Sequence, residues 1–472
     1  MQDDWRFSNR LTLNLGLRYD AQMMKQAGVR NPSAALAAAG IDTARINNDL
    51  NNFAPRFGFA WKPTASDRLV VRGGYGLFFG RTPSIALGTA HSNNGVNIIS
   101  LTVPTPSLIY PASFSSLADI LARGGAAATP ALFTFERGYQ QPYTEQGNLS
   151  FEIGLTKDMS FTASYLSVRG RHIQRTRDIN LLPVVSYATY TKPLDGGSTL
   201  ITSPVQASFV RHPGVQAVPT RPISGFTKIR EFESNANSNY NALVLQINRR
   251  FAKHFQTLFS YTWSKVIDDA PDATSVVDGS GGDEAKQAQQ SLNLNDDRAV
   301  GNADVPHRFV ASGVWDLDYF SGAPKVARLL AGGWQLSGIL QSASNQPFSV
   351  VAGADLNNDS NRNSDRAPGF GRNTFRKGKF VSLDLRATKT FTFKEKYKLL
   401  FIGEFFNAFN RVNLRTFQNQ IYNITIANSV TGNLAVTPSN PAVSISAPRA
   451  DFGDPRSTFD PRIGQLAVKF VF

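Results

Sequence analysis

The residues best suited to chemistry lie in one stretch, Asp355-Leu356-Asn357-Asn358-Asp359-Ser360-Asn361-Arg362-Asn363-Ser364-Asp365-Arg366. Oxygen-bearing side chains recur there on alternate residues, at Asp355, Asn357, Asp359, Asn361 and Asn363. Hard oxygen ligands at that spacing suit Ca²⁺, as in the loop of an EF-hand. Two residues depart from that pattern. Ser360 stands where the motif takes glycine, and Arg366 stands where it takes a bidentate glutamate, with Asp365 one residue early as the substitute. The bland alternative is an Asx-rich turn that bonds its own backbone. The candidate metal ligands are thus Asp355, Asn357, Asp359, Asn361 and Asp365, for a structural calcium. No other cofactor is indicated.

Other reactive types are scarce or scattered. The five histidines, His91, His172, His212, His254 and His307, form no H-E-x-x-H pair, and no G-x-S-x-G occurs. The absence of cysteine removes disulfides, thiolate metal sites and cysteine nucleophiles together. Gly73-Gly74-Tyr75-Gly76 sits in a strand-like alternation with no helix behind it. It reads as close packing rather than a phosphate cradle. No enzyme is expected. The net charge of +14, from 49 Lys+Arg against 35 Asp+Glu, is dispersed, with no basic stripe or zinc-finger motif. Nucleic acid is therefore not expected as a partner, and the charge reads as solvated loops and lumen.

The elements that must position these groups are strands. No run of 18 apolar residues exists, so no conventional transmembrane helix is present. About a dozen segments alternate instead: 11–19, 53–62, 69–79, 145–156, 160–169, 240–250, 255–264, 307–316, 334–343, 380–391, 397–409 and 462–472. In the last, Leu466, Val468, Phe470 and Phe472 share one face. The connections at 63–68, 157–159, 252–254 and 392–396 are short, and that at 317–333 is intermediate. Those at 20–52, 80–144, 170–239, 265–306, 344–379 and 410–461 are long. Such sorting by parity is the pattern of a transmembrane β-barrel with tight periplasmic turns and long outer loops. Small loop helices are expected at 34–39, 116–121 and 284–292, and extended or irregular chain at 204–222.

In hydrocarbon every backbone N–H and C=O must be paired, which requires strands to close into a barrel. The parity places Arg18, Arg72, Glu152, Asp384, Arg386, Glu404 and Lys469 on the lumen side. Two motif pairs sharpen the reading. Asn52-Phe53-Ala54-Pro55-Arg56-Phe57-Gly58-Phe59-Ala60-Trp61 precedes Arg72-Gly73-Gly74-Tyr75-Gly76-Leu77-Phe78-Phe79. Asp304-Val305-Pro306-His307-Arg308-Phe309-Val310 precedes Glu404-Phe405-Phe406-Asn407-Ala408-Phe409-Asn410. In this order they resemble the barrel of Oar-like TonB-dependent receptors, and the opening Gln2-Asp3-Asp4-Trp5 with 11–19 matches a strand pair inside such barrels.

The resemblance implies an outer-membrane location, contact with outer-membrane lipid, and a barrel of ~22 strands with an N-terminal plug. It also implies uptake of a ligand energised through TonB. The chain departs from the family in lacking a plug, a TonB box and a signal peptide. The expectation is therefore an all-β, antiparallel wall of about twelve strands over 1–472, a single partial domain from the C-terminal part of a larger receptor. TonB would engage it only through the missing plug. Phe472 is expected to be read by the barrel-assembly machinery. The ligand, whether small molecule, peptide or saccharide, is not named by any residue. The alternative is a complete small barrel serving as a non-transporting surface or adhesion protein.

Overall fold

A computed structural model describes residues 2–64, 68–98, 101–102, 116–122, 125–181, 186–191, 206–211, 221–269, 288–291, 293–317, 319, 322, 324–357, 359, 365–367, 369–393, 397–427, 442–446 and 448–472. Thirteen strands pair in an unbroken antiparallel order that follows the chain. They are β1 Gln2–Ser8, β2 Leu11–Asp20, β3 Asn52–Trp61, β4 Leu69–Phe79, β5 Tyr143–Gly154, β6 Met159–Asp178 and β7 Ile229–Ala252. There follow β8 Phe255–Asp268, β9 His307–Asp316, β10 Trp334–Ser344, β11 Lys379–Phe393, β12 Tyr397–Phe406 and β13 Ile463–Val471. Among the described residues β1 and β13 do not pair with each other, so the wall is open.

All twelve expected segments are strands of this wall. The thirteenth, β1, runs against β2 with Trp5 opposite Leu13 and Asp4 opposite Asn14. Its adjacent Asp3 and Asp4 break the apolar alternation that marks the others. With β1 included, short and long connections alternate without exception, and α4 (Lys325–Ala331) occupies the intermediate one. Lys253 and His254 close the β7–β8 hairpin with φ of 50° and 66°. Positive φ at both turn residues matches the twist of the flanking strands.

The register confirms which residues share a face. Leu13 lies opposite Phe59, and Leu15 opposite Phe57. Leu243 lies opposite both Tyr165 and Trp263. Phe401 lies opposite Val468. This face is apolar and exposed, as a lipid-facing surface must be. On the other face Arg72 pairs with Glu152, and Arg386 reaches Glu404 at 3.3 Å. Glu404 also accepts from Gln465 of β13. The glycine run behaves as a packing device: a Cβ at Gly73 would collide with the Phe59 ring.

Two strands outrun the expectation. β6 has 20 residues and β7 has 24, although 9–11 suffice to cross a bilayer. Their outer halves, 170–178 and 229–239, lack clean alternation because neither face meets lipid. A segment from the 80–142 connection, Leu132–Phe135, adds to the β7 extension in parallel, with Ile229 opposite Leu132. Helices α1 (Ala34–Ala38) and α3 (Leu117–Ala122) occur as expected, and α2 (Ser84–Ser92) was not foreseen. The helix expected over 284–292 falls largely outside the described residues, and 288–291 are not helical. Part of the stretch expected to be extended or irregular, Gln206–Arg211, is an extended strand paired with Ser186–Thr191. Its aromatic and β-branched residues Phe209 and Val210 favour a strand despite the flanking prolines.

Candidate functional site

Every packed apolar cluster of the described residues lies among the long connections and the outer end of β7 on which they fold. The described parts of three connections, 21–51, 80–142 and 179–228, fold onto the β6–β7 extension. Met24, Ile46, Ala86, Ala90, Phe133, Phe135, Tyr139 and Phe232 form one core there. Phe232 lies 5.0 Å from Phe135 and 5.6 Å from Phe133, centroid to centroid. A second core joins Leu36, Leu132, Phe226 and Ile229. Burial pushes the Tyr139 phenol up to about 12. Polar ties finish this first cap: Arg221 donates to Asp178 at 2.8 Å, and Asn180 Nδ2 reaches the Thr227 carbonyl at 3.0 Å.

The first cap encloses a cavity of about 490 Å³. Its apolar side is Ile41, Phe135, Ile179 and Ile223, and Arg45, Arg137 and Glu231 bring charge to it. That size and mixture suit a small ligand with polar groups.

The second cap is built from the described residues of 269–306, 345–378 and 407–462. Its apolar core is small: Val350, Ala352, Leu356, Ala367, Ile421, Tyr422 and Ile424. Arginines do the rest. Arg366 donates to Asp297 at 2.7 Å, Arg372 to Asp268 at 2.5 Å and Arg376 to Asp304 at 2.6 Å. Each arginine belongs to 345–378, and each carboxylate lies on 269–306 or the end of β8. Asp304 also accepts from the Val266 amide at 2.6 Å. These arginines carried no signal in the sequence, since only folding opposes them to their carboxylates. Asp304 did stand in a motif, and its place at a strand-to-loop corner explains it. Asn407 is another such corner: φ is 47°, and its amide donates to Asp384 at 2.9 Å.

The expected calcium loop lies in this second cap. Asp355, Asn357, Asp359 and Asp365 come together, and Asn361 lies outside the described residues. The Asp359 amide donates to Asp355 Oδ1 at 3.1 Å and to Asn357 Oδ1 at 3.0 Å. Asp365 turns one oxygen back to the amides of Leu356 and of Asn357, the latter at 3.3 Å. Asn357 Nδ2 donates to the Gln289 carbonyl, stitching the loop to 269–306. Burial, together with the Asp359 and Asp355 carboxylates, holds the Asp365 pKa well above the usual carboxylate range. Among the described residues no three carboxylate or imidazole groups gather as a metal-binding set.

The histidines are dispersed. His307 Nδ1 lies 2.8 Å from the Tyr261 hydroxyl, and His172 Nδ1 lies 3.0 Å from the Ser234 carbonyl. His254 is in the hairpin turn, His91 is in α2, and His212 lies outside the described residues. On the inner face of the wall a groove of about 650 Å³ is lined by Asn248, Gln256, Ser337, Asp384, Arg386 and Glu404 among others.

A family model described as outer membrane beta barrel domain matches residues 1–370. Among curated proteins, none matches the chain. Several solved structures are similar in fold. The outer membrane transporter YddB from Escherichia coli superposes with a TM-score of 0.47 at 10% identity, covering 86% of this chain and 40% of that one. A mutant of the ferric enterobactin receptor PfeA from Pseudomonas aeruginosa gives 0.46 at 10% identity, with coverages of 100% and 44%. BauA, the ferric preacinetobactin receptor from Acinetobacter baumannii, gives 0.41 at 13% identity, with coverages of 100% and 42%. The chain thus spans about two fifths of the length of these structures.

Proposed function

We propose that this chain, which belongs to the outer-membrane β-barrel domain family, forms the wall and outer cap of a receptor that captures a solute and delivers it to the barrel lumen. The observation that carries the reading is the one-sided cap. All long connections leave the same end of the wall, and the described parts of the first three form packed cores beside a cavity of about 490 Å³. Long loops that only shielded a pore would need no such core, and loops of this length are usually functional.

The polar inner face supports passage of a solute. Asp384, Arg386 and Glu404 present alternating charge along it, and lumen residues tune what passes. The motifs around Asn52, Arg72, Asp304 and Glu404 resemble Oar-like TonB-dependent receptors, which favours energised uptake through a plug supplied by another part of the receptor. In that reading TonB acts on the plug, and Phe472 marks the strand for the barrel-assembly machinery. The ligand classes that fit the cavity are small molecules, short peptides and saccharides.

The test is accumulation by whole cells with and without the native gene, using labelled ferric chelates, oligosaccharides and peptides. One class should accumulate in a gene-dependent way and stop accumulating when a protonophore collapses the inner-membrane gradient. Gene-dependent binding at the surface, with no gradient-sensitive accumulation of any class, would instead establish the non-transporting surface protein.

A further inference from the structure

We propose that Asp359 and Asp365 hold a calcium ion in the second cap, with amide, backbone and water oxygens completing its shell. The two carboxylates are 1% and 0% exposed. One Asp365 oxygen accepts two backbone amides, while Oδ1 is buried with no hydrogen-bond partner among the described residues. The adjacent Arg366 does not neutralise it, because that guanidinium is turned to Asp297. A buried carboxylate beside other carboxylates is costly unless a proton or a cation joins it.

The donor chemistry selects the cation. Every group in the turn offers oxygen, and none offers nitrogen or sulfur, which disfavours zinc and copper. With no three carboxylates gathered among the described residues, amide, backbone and water oxygens must contribute. Ca²⁺ accepts such a flexible mixed shell, whereas Mg²⁺ demands a tight octahedron. The ion would lock the 355–359 turn against Asp365. Arg366 bonds Asp297 and Asn357 bonds the Gln289 carbonyl, so the lock would extend from 345–378 to 269–306.

The experiment is calorimetric titration of the full chain, refolded in detergent and freed of metal, with CaCl₂ and with MgCl₂. Tryptic cleavage within 345–378 is followed in parallel, in calcium and in EGTA. The expected result is saturable calcium binding with a Kd of ~10⁻⁶–10⁻³ M, much weaker magnesium binding, and calcium-dependent protection. Asp359→Asn and Asp365→Asn should each weaken calcium binding at least ~10-fold. Asp365→Asn also mimics the protonated acid, so a variant that binds calcium as the wild type does would overturn the assignment. So would a wild-type protein with no saturable calcium heat and no response to EGTA, a comparison that needs no variant. Neither readout depends on transport, so failure of the receptor reading leaves this result standing.

Discussion

The wall and the caps handle the same side chains in opposite ways. In the wall, Leu466 and Val468 are 89% and 64% exposed; in the first cap, Phe232 and Tyr139 are fully buried. The difference is the solvent. A wall strand has lipid on one face and water on the other, so its apolar residues turn outward and no core is needed. The cap has water around it, so its apolar residues must find each other. The wall takes its order from hydrogen-bonded register, and the caps take theirs from packed aromatics and buried ion pairs.

The sharpest way to break this contrast is at the centre of the first cap. Phe232→Ala should cost that cap ~3–5 kcal/mol, the usual range for a buried aromatic. Hydrogen exchange should show 132–139 opening while β8 to β13 keep their protection. Equal loss of protection in both regions would mean the cap is not a separate cooperative unit.

Next in size is a charge on the outward face. Leu385→Arg should cost ~2–4 kcal/mol of folding into vesicles if the residue sits near the midplane. The inward-facing Gln341→Arg, one strand away, should change folding by less than about 0.5 kcal/mol. Both are read from the heat-modifiable band on a gel. Similar penalties for the two would refute the assignment of faces.

The second cap should respond to pH in its own direction. In EGTA, the folded state holds the Asp365 proton more tightly than the unfolded chain does. Its contribution therefore falls as pH rises from the unfolded carboxylate pKa through the raised folded value. Calcium would take the place of that proton and flatten the decline. Thermal melts of the second cap against pH, with and without calcium, check the sign.

The smallest effect belongs to the β7–β8 turn. Lys253 and His254 hold positive φ without being glycine or asparagine. Lys253→Asn with His254→Gly should stabilise the hairpin by about 1 kcal/mol and leave both caps unchanged, as read by denaturant midpoints.

These regions also differ in how far the chain's own order reveals them. Twelve of the thirteen wall strands and the parity of the loops were legible, because two solvents impose a period of two on neighbouring residues. β1 was hidden by Asp3 and Asp4. The outer halves of β6 and β7 were hidden because 170–178 and 229–239 leave the bilayer and lose that period. The acidic turn was legible as a spacing, yet its burial was not. Nor was the trio Arg366, Arg372 and Arg376, whose partners lie about 70 to 104 residues away.

The sequence by itself determined the wall: which residues face lipid, which face the lumen, and which end carries the long connections. Those follow from local alternation, since each strand meets the same two solvents whatever its neighbours are. Only the tertiary structure decided that the described parts of the long connections pack as caps with cores of their own. It alone decided that Phe133 stacks on Phe232, and that Asp365 is sealed beside Asp359. Such contacts join residues far apart in the chain, and no local period records them.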